Sequence, residues 1–455
     1  MEMILEFLRD ILSQPALLIG IMSCVGLIAL KRPFHKIMTG TLKPILGYLM
    51  LAAGAGVIVS NLDPLGKMIE HGFHITGVVP NNEAIVAVAQ KVLGVETMSI
   101  LVVGLLMNLL IARFTKFKYV FLTGHHSLFM ACLMSAVLGT AGLSGIELIL
   151  VGGFLMGAWS AISPAIGQSY TSKVTDGDEI ALGHFGSLGY YLSAWVAKYV
   201  GKAEESTEDI EIPEKWGFLR DSTLSTALTM IVFYLIAAIA AGSEFVSTLS
   251  GSMSPYLFAI MSAMNFAVGV AIVYSGVRMI LGDLIPAFQG IATKIIPNAI
   301  PAVDCAVFFT YAPTAVVLGF ISSFIGGIIG MLILGAVGGV LIIPGLVPHF
   351  FCGATAGIYG NATGGRRGAA VGAFLNGLAI TFLPALALPV LGQLGFQNTT
   401  FGDADFAVMG LVLGNAFEWI GMAGIYGVVV IAALVLIIPN FIKTKGKVIN
   451  YVEEE

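Results

Sequence analysis

The chain reads as an all-α polytopic membrane protein with about eleven transmembrane helices, on three observations. Of its 455 residues 57% are hydrophobic and 11% charged; the mean hydropathy is +0.93; and apolar runs of bilayer-crossing length recur from end to end. A soluble domain carries about 25% charged residues, so this composition cannot coat an aqueous surface of this size. Nor does a single apolar core keep growing beyond roughly 250–300 residues. Lipid is therefore the solvent for most of the chain.

A hydrocarbon core of about 30 Å needs about 20 helical residues to cross. The runs predict spans near 14–30, 44–60, 98–112, 119–141, 144–162, 224–247, 255–276, 312–334, 336–353, 369–388 and 420–441. Glycine, at 56 residues, recurs in pairs such as Gly326-Gly327 and Gly338-Gly339, which lets helix backbones approach where lipid supplies no hydrophobic drive. Lys31, Arg32, Lys36 and Lys43 separate the first two spans; Arg113, Lys116 and Lys118 the third and fourth; Arg366 and Arg367 the ninth and tenth; Lys443, Lys445 and Lys447 follow the last. Positive loops stay inside, so these loops are expected in the cytoplasm, with the N-terminus outside and the C-terminus cytoplasmic.

Several function classes drop out on composition. A net charge of −5 without a long basic run leaves no electrostatic footprint for nucleic acid. Cys24, Cys132, Cys305 and Cys352 show no CxxC spacing, so neither a disulfide framework nor a zinc site is expected. The opening MEMILEFLRD is acidic where a signal peptide is basic, which predicts no cleaved leader. No nucleophile with a base at fixed spacing, no HExxH pair and no phosphate loop ending in GKS/T is present, so no catalytic residue, cofactor or metal is expected and the chain does not read as an enzyme.

The two halves resemble each other. Pro164 to Asp178 and Pro389 to Asp403 share Pro, Gly, Gln, Thr, Gly and Asp in register, the mark of an internal duplication. The basic loop falls between the third and fourth spans of the first half, but in the second half at the counterpart of the four–five connection. The halves are thus expected upside down relative to each other, as inverted five-helix repeats whose interface holds a midplane site. The organisation predicted is a first repeat over 1–200, a charged cytoplasmic linker over 201–222, a second repeat over 223–441 and a cytoplasmic tail over 442–455. The duplicated Pro-Gly-polar copies are too polar for lipid, and irregular backbone at membrane depth survives only under protein or water. They predict re-entrant hairpins near 164–190 and 389–415. Two further breaks are expected at Pro80-Asn81-Asn82-Glu83 and at Pro297-Asn298, where free N–H groups at a helix start attract anions and hydroxyl-rich ligands.

An ionisable group inside a membrane costs roughly 2.5–3.5 kcal/mol and needs a partner or a task. Asp304, in NAIPAVDCAVFF, is such a group, with no basic residue within four positions. Glu83 is a second candidate, although a carboxylate near a helix start is also ordinary capping. His125 and His126 head the fourth span in LTGHHSLF, and His184 follows the first hairpin in ALGHFGSLGYY. Imidazole donates to a hydroxyl or anion without a permanent charge, so these read as binding groups, while His349 reads as a core hydrogen-bonder. Taken alone, these residues also allow an ion- or proton-coupled secondary transporter of a small organic anion or polyol, with Asp304 or Glu83 carrying the proton.

LTGHHSLF, EIALGHFGSLGYYLSAWVAKYVGKAEESTEDIEIP, IIPNAIPAVDCAVFFTYAPTAVVLGF and IIPGLVPHFFCGATAGIYGN together resemble the ascorbate-specific IIC permease family of the bacterial phosphoenolpyruvate phosphotransferase system, over essentially the full length. The resemblance implies a homodimer in the inner membrane, each protomer with a fixed scaffold and a moving core, working as an elevator. It implies that L-ascorbate or a related small polyol is bound by Asn82 and Glu83, by His125, His126 and Phe129, by His184 and Phe185, and by Asp304. It also implies that a phosphorylated cytosolic IIB partner performs the phosphoryl transfer. Members of the family carry Gln near the end of the TGH segment and after the second His; Phe129 and Phe185 stand there instead, removing two amides able to bind hydroxyls.

Overall fold

The computed structural model describes residues 14–74, 77–80, 82–177, 179–210, 222–392 and 399–441. The expectations for 211–222 fall almost wholly outside the described residues, as do those for the tail 442–455, for 393–398 and for the side chain of Glu83.

Helices dominate because apolar residues in lipid must satisfy their own backbone groups. In chain order they are α1 (Pro15–Ala29), α2 (Phe34–Gly72), α3 (Asn82–Phe114), α4 (Gly124–Thr140), α5 (Gly145–Thr175), α6 (Ser187–Val200), α7 (Ser222–Ala241), α8 (Ser243–Ser250), α9 (Pro255–Lys294), α10 (Pro313–Ala336), α11 (Leu346–Gly392), α12 (Ala404–Ile420) and α13 (Met422–Phe441). Among the described residues, seven helices are long and apolar enough to cross a membrane, or eight if α7 and α8, bent by 117°, form one span. The chain is a multi-pass membrane protein.

The predicted spans are redrawn in four places. The run 119–141 is not one helix: Tyr119–Phe121 is a strand and α4 has only 17 residues, because an aromatic and β-branched start finds strand partners. The run 336–353 is split, with α10 ending at Ala336 and α11 starting at Leu346; Gly338 at φ 71 and Pro344 interrupt it. The run 224–247 breaks at Gly242, φ 81. Finally, Pro164 and Pro389 open no break. Both lie inside helices, α5 and α11, and the irregular backbone comes later, after Asp176 caps α5 in the left-handed region. Proline is tolerated inside a membrane helix where neighbours re-satisfy the freed backbone.

At Gly364-Gly365 α11 turns back on itself: a Cβ on Gly360 would strike the carbonyl of Gly368, so 346–363 and 366–392 are the two limbs of a tight helical hairpin. Residues 201–210, the start of the expected charged linker, are docked on its tip. Arg366 N–H donates to the Glu205 carbonyl at 2.8 Å, Thr207 N–H to Asn361 Oδ1 at 2.8 Å, and the Glu208 carboxylate accepts from Thr314 and Ala315 N–H at the start of α10. A helix start lacks partners for its first N–H groups, and a carboxylate supplies one while complementing the dipole.

Five short strands, β1 (Val79–Pro80), β2 (Tyr119–Phe121), β3 (Ala181–Leu182), β4 (Ile300–Val303) and β5 (Thr399–Thr400), lie where the chain stops being helical. β4 runs parallel to and between β2 and β3. β1 runs parallel to β5 and forms a parallel bridge from Val78 to Ile342. Each three-stranded set thus has a central segment from one half of the chain flanked by two from the other. The pairing satisfies the N–H and C=O groups that the breaks expose.

Packing sorts the helices into two groups that cut across the sequence halves. α1, α2, α7, α8 and α9 pack together, and α3 to α6 pack with α10 to α13. In the first group α2 and α9 cross at Gly54 and Gly269, where a Cβ on either would come within 3 Å of the other helix's backbone. Contact between the groups is sparse and runs mainly from α9 and α2 onto the segment after β4 and onto α11.

Candidate functional site

Strands β1 to β5 each lead into the start of a helix, and a set of histidines, carboxylates and amides sits in those few positions after the strands. Thr123, His125 and His126 follow β2; His184 and Phe185 follow β3; Asp304 follows β4 and heads a 3₁₀ turn, Cys305–Thr310; Asp403 and Asp405 follow β5; Asn82 follows β1. Because the strands pair, residues remote in sequence arrive at one place.

Two clusters result. In the first, His125 Nε2 lies 3.4 Å from Asp304 Oδ2 and His125 Nδ1 lies 3.1 Å from the Tyr48 hydroxyl. Asp304 also accepts from Ala306 N–H at 3.0 Å. The His125 side chain is 39% exposed and Asp304 is nearly covered. Tyr48 belongs to α2, in the other helix group, so this cluster spans the boundary between the groups.

The second cluster centres on the buried His126, His184, Asp403 and Asp405, with Asn82 and Trp159 partly covered at its edge. The rings of His126 and His184 are 3.8 Å apart. Asp403 Oδ1 is 3.9 Å from His184 Nδ1 and accepts from Cys352 Sγ at 2.9 Å, while Asp403 Oδ2 accepts from Asn82 Nδ2 at 2.6 Å. Asn82 Oδ1 in turn takes Gly402 N–H at 2.9 Å. Deeper in, the Asp405 carboxylate accepts from the Ser187 hydroxyl at 2.7 Å, Leu188 N–H at 2.9 Å and Trp159 Nε1–H at 3.1 Å. Asp405 N–H donates to the Phe185 carbonyl at 2.9 Å, so α6 and α12 are tied start to start.

Local hydrogen bonds decide what the paired histidines can do. Phe185 N–H donates to His126 Nδ1 at 3.2 Å; Gly186 N–H donates to His184 Nδ1 at 3.1 Å, with the Tyr190 hydroxyl 2.9 Å from the same nitrogen. A neutral imidazole whose Nδ1 accepts carries its proton on Nε2. His126, His184 and Asp403 bring potential ligand atoms within 4.8 Å of one another, a grouping that would suit a metal ion. In that tautomer both Nδ1 lone pairs are engaged by backbone N–H groups, so ligation through either ring would displace a hydrogen bond or a proton.

Of the residues expected from the sequence, His125 and Asp304 form the open cluster, and His126, His184 and Asn82 the closed one. Phe129 packs edge-on to His125 at 5.8 Å between centroids, and Phe185 is fully buried, stacked on Phe121 at 4.6 Å. Sequence reasoning missed Tyr48, Asp403, Asp405, Tyr190 and Cys352. Asp403 was within sight as the last residue of the duplicated motif, and Asp405 two positions on; nothing in the sequence singles out Tyr48.

Long apolar helices interrupted by paired strands, with histidines and carboxylates gathered at the breaks, define a polytopic membrane protein with polar sites between its helices. The chain belongs to the PTS system sugar-specific permease component family, EIIC-GAT, whose family model matches residues 10–405. It is similar to the ascorbate-specific PTS system EIIC component of Mycoplasma pneumoniae, 26% identical over 417 residues, a match covering 78% of this chain and 62% of that relative. The chain thus spans about three-fifths of the length of the curated relative it matches.

Proposed function

We propose that this phosphotransferase-system permease carries L-ascorbate, or a closely related small polyol acid, inward for phosphorylation by a cytosolic IIB partner. The observation that carries the reading is the His125–Asp304 pair, part-exposed at the start of two broken elements and facing Tyr48 across the boundary between helix groups. A ring that donates and a carboxylate that accepts suit a ligand rich in hydroxyls and enolic oxygens. The M. pneumoniae relative's ascorbate specificity points the same way. His184, His126, Phe129, Phe185, Asn82 and Glu83 complete the proposed binding region, with the buried members holding its wall.

The reading extends to mechanism. The exchange of strands between halves, with one central segment and two flanking segments in each set, supports inverted repeats over 1–200 and 223–441. The sparse boundary between α1, α2, α7, α8, α9 and the remaining helices supports a scaffold and a moving core of elevator type, within a homodimer. With the two limbs of α11 counted separately the seven or eight long apolar helices become eight or nine, and two or three of the shorter helices α1, α4, α6 and α12 would complete the proposed eleven crossings, N-terminus outside and C-terminus cytoplasmic.

Proteoliposomes test this. With phosphorylated IIB protein inside, external ascorbate is expected to accumulate as its phosphate ester; uptake driven by an ion gradient without IIB would replace the reading by a coupled secondary transporter. Cysteines at Lys116 and Arg366 are both expected to label from the cytoplasmic side, and labelling of either from outside would overturn the inverted topology.

A further inference from the structure

Between the two helix groups lies a small cavity walled by Ile19, Leu51 and Ile280 on one side and Leu122, Val303 and Val307 on the other, with Tyr48, Thr123 and Asp304 as its polar lining. Thr123 is the unexplained member. It stands immediately before α4, where a threonine hydroxyl ordinarily caps the helix, yet it makes no capping bond. Its hydroxyl is 99% covered at the residue level, since Thr123 is only 1% exposed, and has no hydrogen-bond partner among the described residues. A buried hydroxyl without a partner costs about 1–3 kcal/mol, which a polar ligand atom in the cavity would recover.

Tyr48 supplies a contact from the first helix group to His125 beside the cavity. In the tautomer that carries its proton on Nε2, the nitrogen 3.4 Å from Asp304 Oδ2, His125 Nδ1 accepts from the Tyr48 hydroxyl. Tyr48 is the polar group that the α1–α2–α7–α8–α9 group contributes to the cavity lining, so this bond joins the two groups.

We propose that the cavity is a hydroxyl-binding subsite assembled from both helix groups: a ligand hydroxyl bonds Thr123 Oγ1 and takes over from Tyr48 the place at His125 Nδ1. Thr123 is then a specificity-determining residue, and Tyr48 a placeholder that links the groups until ligand displaces it. This rests on the reading of His125 and Asp304 as substrate contacts.

The test uses full-length protein in nanodiscs with L-ascorbate as probe. Thr123→Val, which keeps the shape and removes the hydroxyl, is expected to weaken binding about tenfold, the worth of one hydrogen bond. Tyr48→Phe, which removes the competitor, is expected to tighten it threefold or more. Unchanged affinity in Thr123→Val, or unchanged or weaker affinity in Tyr48→Phe, overturns the proposal. A ligand-free arm separates it from the substrate assignment. Spin labels at Phe34 and Phe114, both exposed and on opposite groups, are expected to show a broader distance distribution in Tyr48→Phe than in wild type. An identical distribution overturns the placeholder role, whereas failure of the wild type to bind ascorbate overturns the substrate assignment instead.

Discussion

His125 with Asp304 and His184 with Asp403 are two imidazole–carboxylate pairs at the same kind of place, just after a short strand, yet they are finished differently. The first pair is part-exposed and takes its third partner, Tyr48, from a different helix group. The second is sealed, and every neighbour it bonds, Gly186, Tyr190, Cys352 and Asn82, belongs to its own group. The second pair thus bonds only within one helix group, whereas the first takes a partner across the boundary between groups. On the proposed reading, burial and the ownership of hydrogen bonds, more than residue type, separate binding from scaffolding.

The contrast can be broken by mutation. Asp405→Ala strands three donors, the buried Ser187 hydroxyl and the part-buried Trp159 and Leu188 N–H groups, and is expected to cost about 3–5 kcal/mol. Thermal unfolding of the detergent-solubilised protein reads this, and a wild-type transition would show the closed cluster to be dispensable. Gly365→Ala comes next. Gly365 has φ 59, and a Cβ there would strike the Lys202 and Glu205 carbonyls, so a loss of about 2–3 kcal/mol is expected by the same measurement. Asp304→Asn reverses the pattern. The amide oxygen can still accept from Ala306 N–H, so the melting transition should barely move, while ascorbate affinity by calorimetry falls at least tenfold, about 1.4 kcal/mol. Retained affinity would make Asp304 structural and erase the difference between the pairs. Glu208→Gln is the mildest. Weakening the cap on α10 should cost about 0.5–1 kcal/mol and leave ligand affinity untouched; a change in affinity would mean the docked 201–210 segment reaches the site.

Much of the site was legible in the sequence because an ionisable or imidazole group inside an apolar run is costly enough to demand a reason. Asp304, His125, His126 and His184 stand out on that ground alone. The role of Asn82 was not legible, since an amide at a helix start reads as a cap or a ligand contact until its two partners, Asp403 and Gly402, are seen. Phe185 was placed at the site by its neighbour His184, but its backbone rather than its ring serves there, donating to His126 and accepting from Asp405. The breaks were misplaced for a related reason. Pro164 and Pro389 carry the strongest local signal for irregular backbone, and the helices absorb both of them.

By itself the sequence determined the solvent and the class of architecture, since hydrophobic content and run length depend only on composition and order along the chain. It also determined which polar residues would be expensive enough to matter. Only the tertiary structure decided which of them meet. Strand exchange at the breaks brings residues hundreds of positions apart within hydrogen-bonding distance, and the division into helix groups assigns Tyr48 and His125 to opposite sides of one boundary. Hydropathy and periodicity carry no information about such pairings, because they arise from backbone groups seeking partners across the whole fold and not along the local segment.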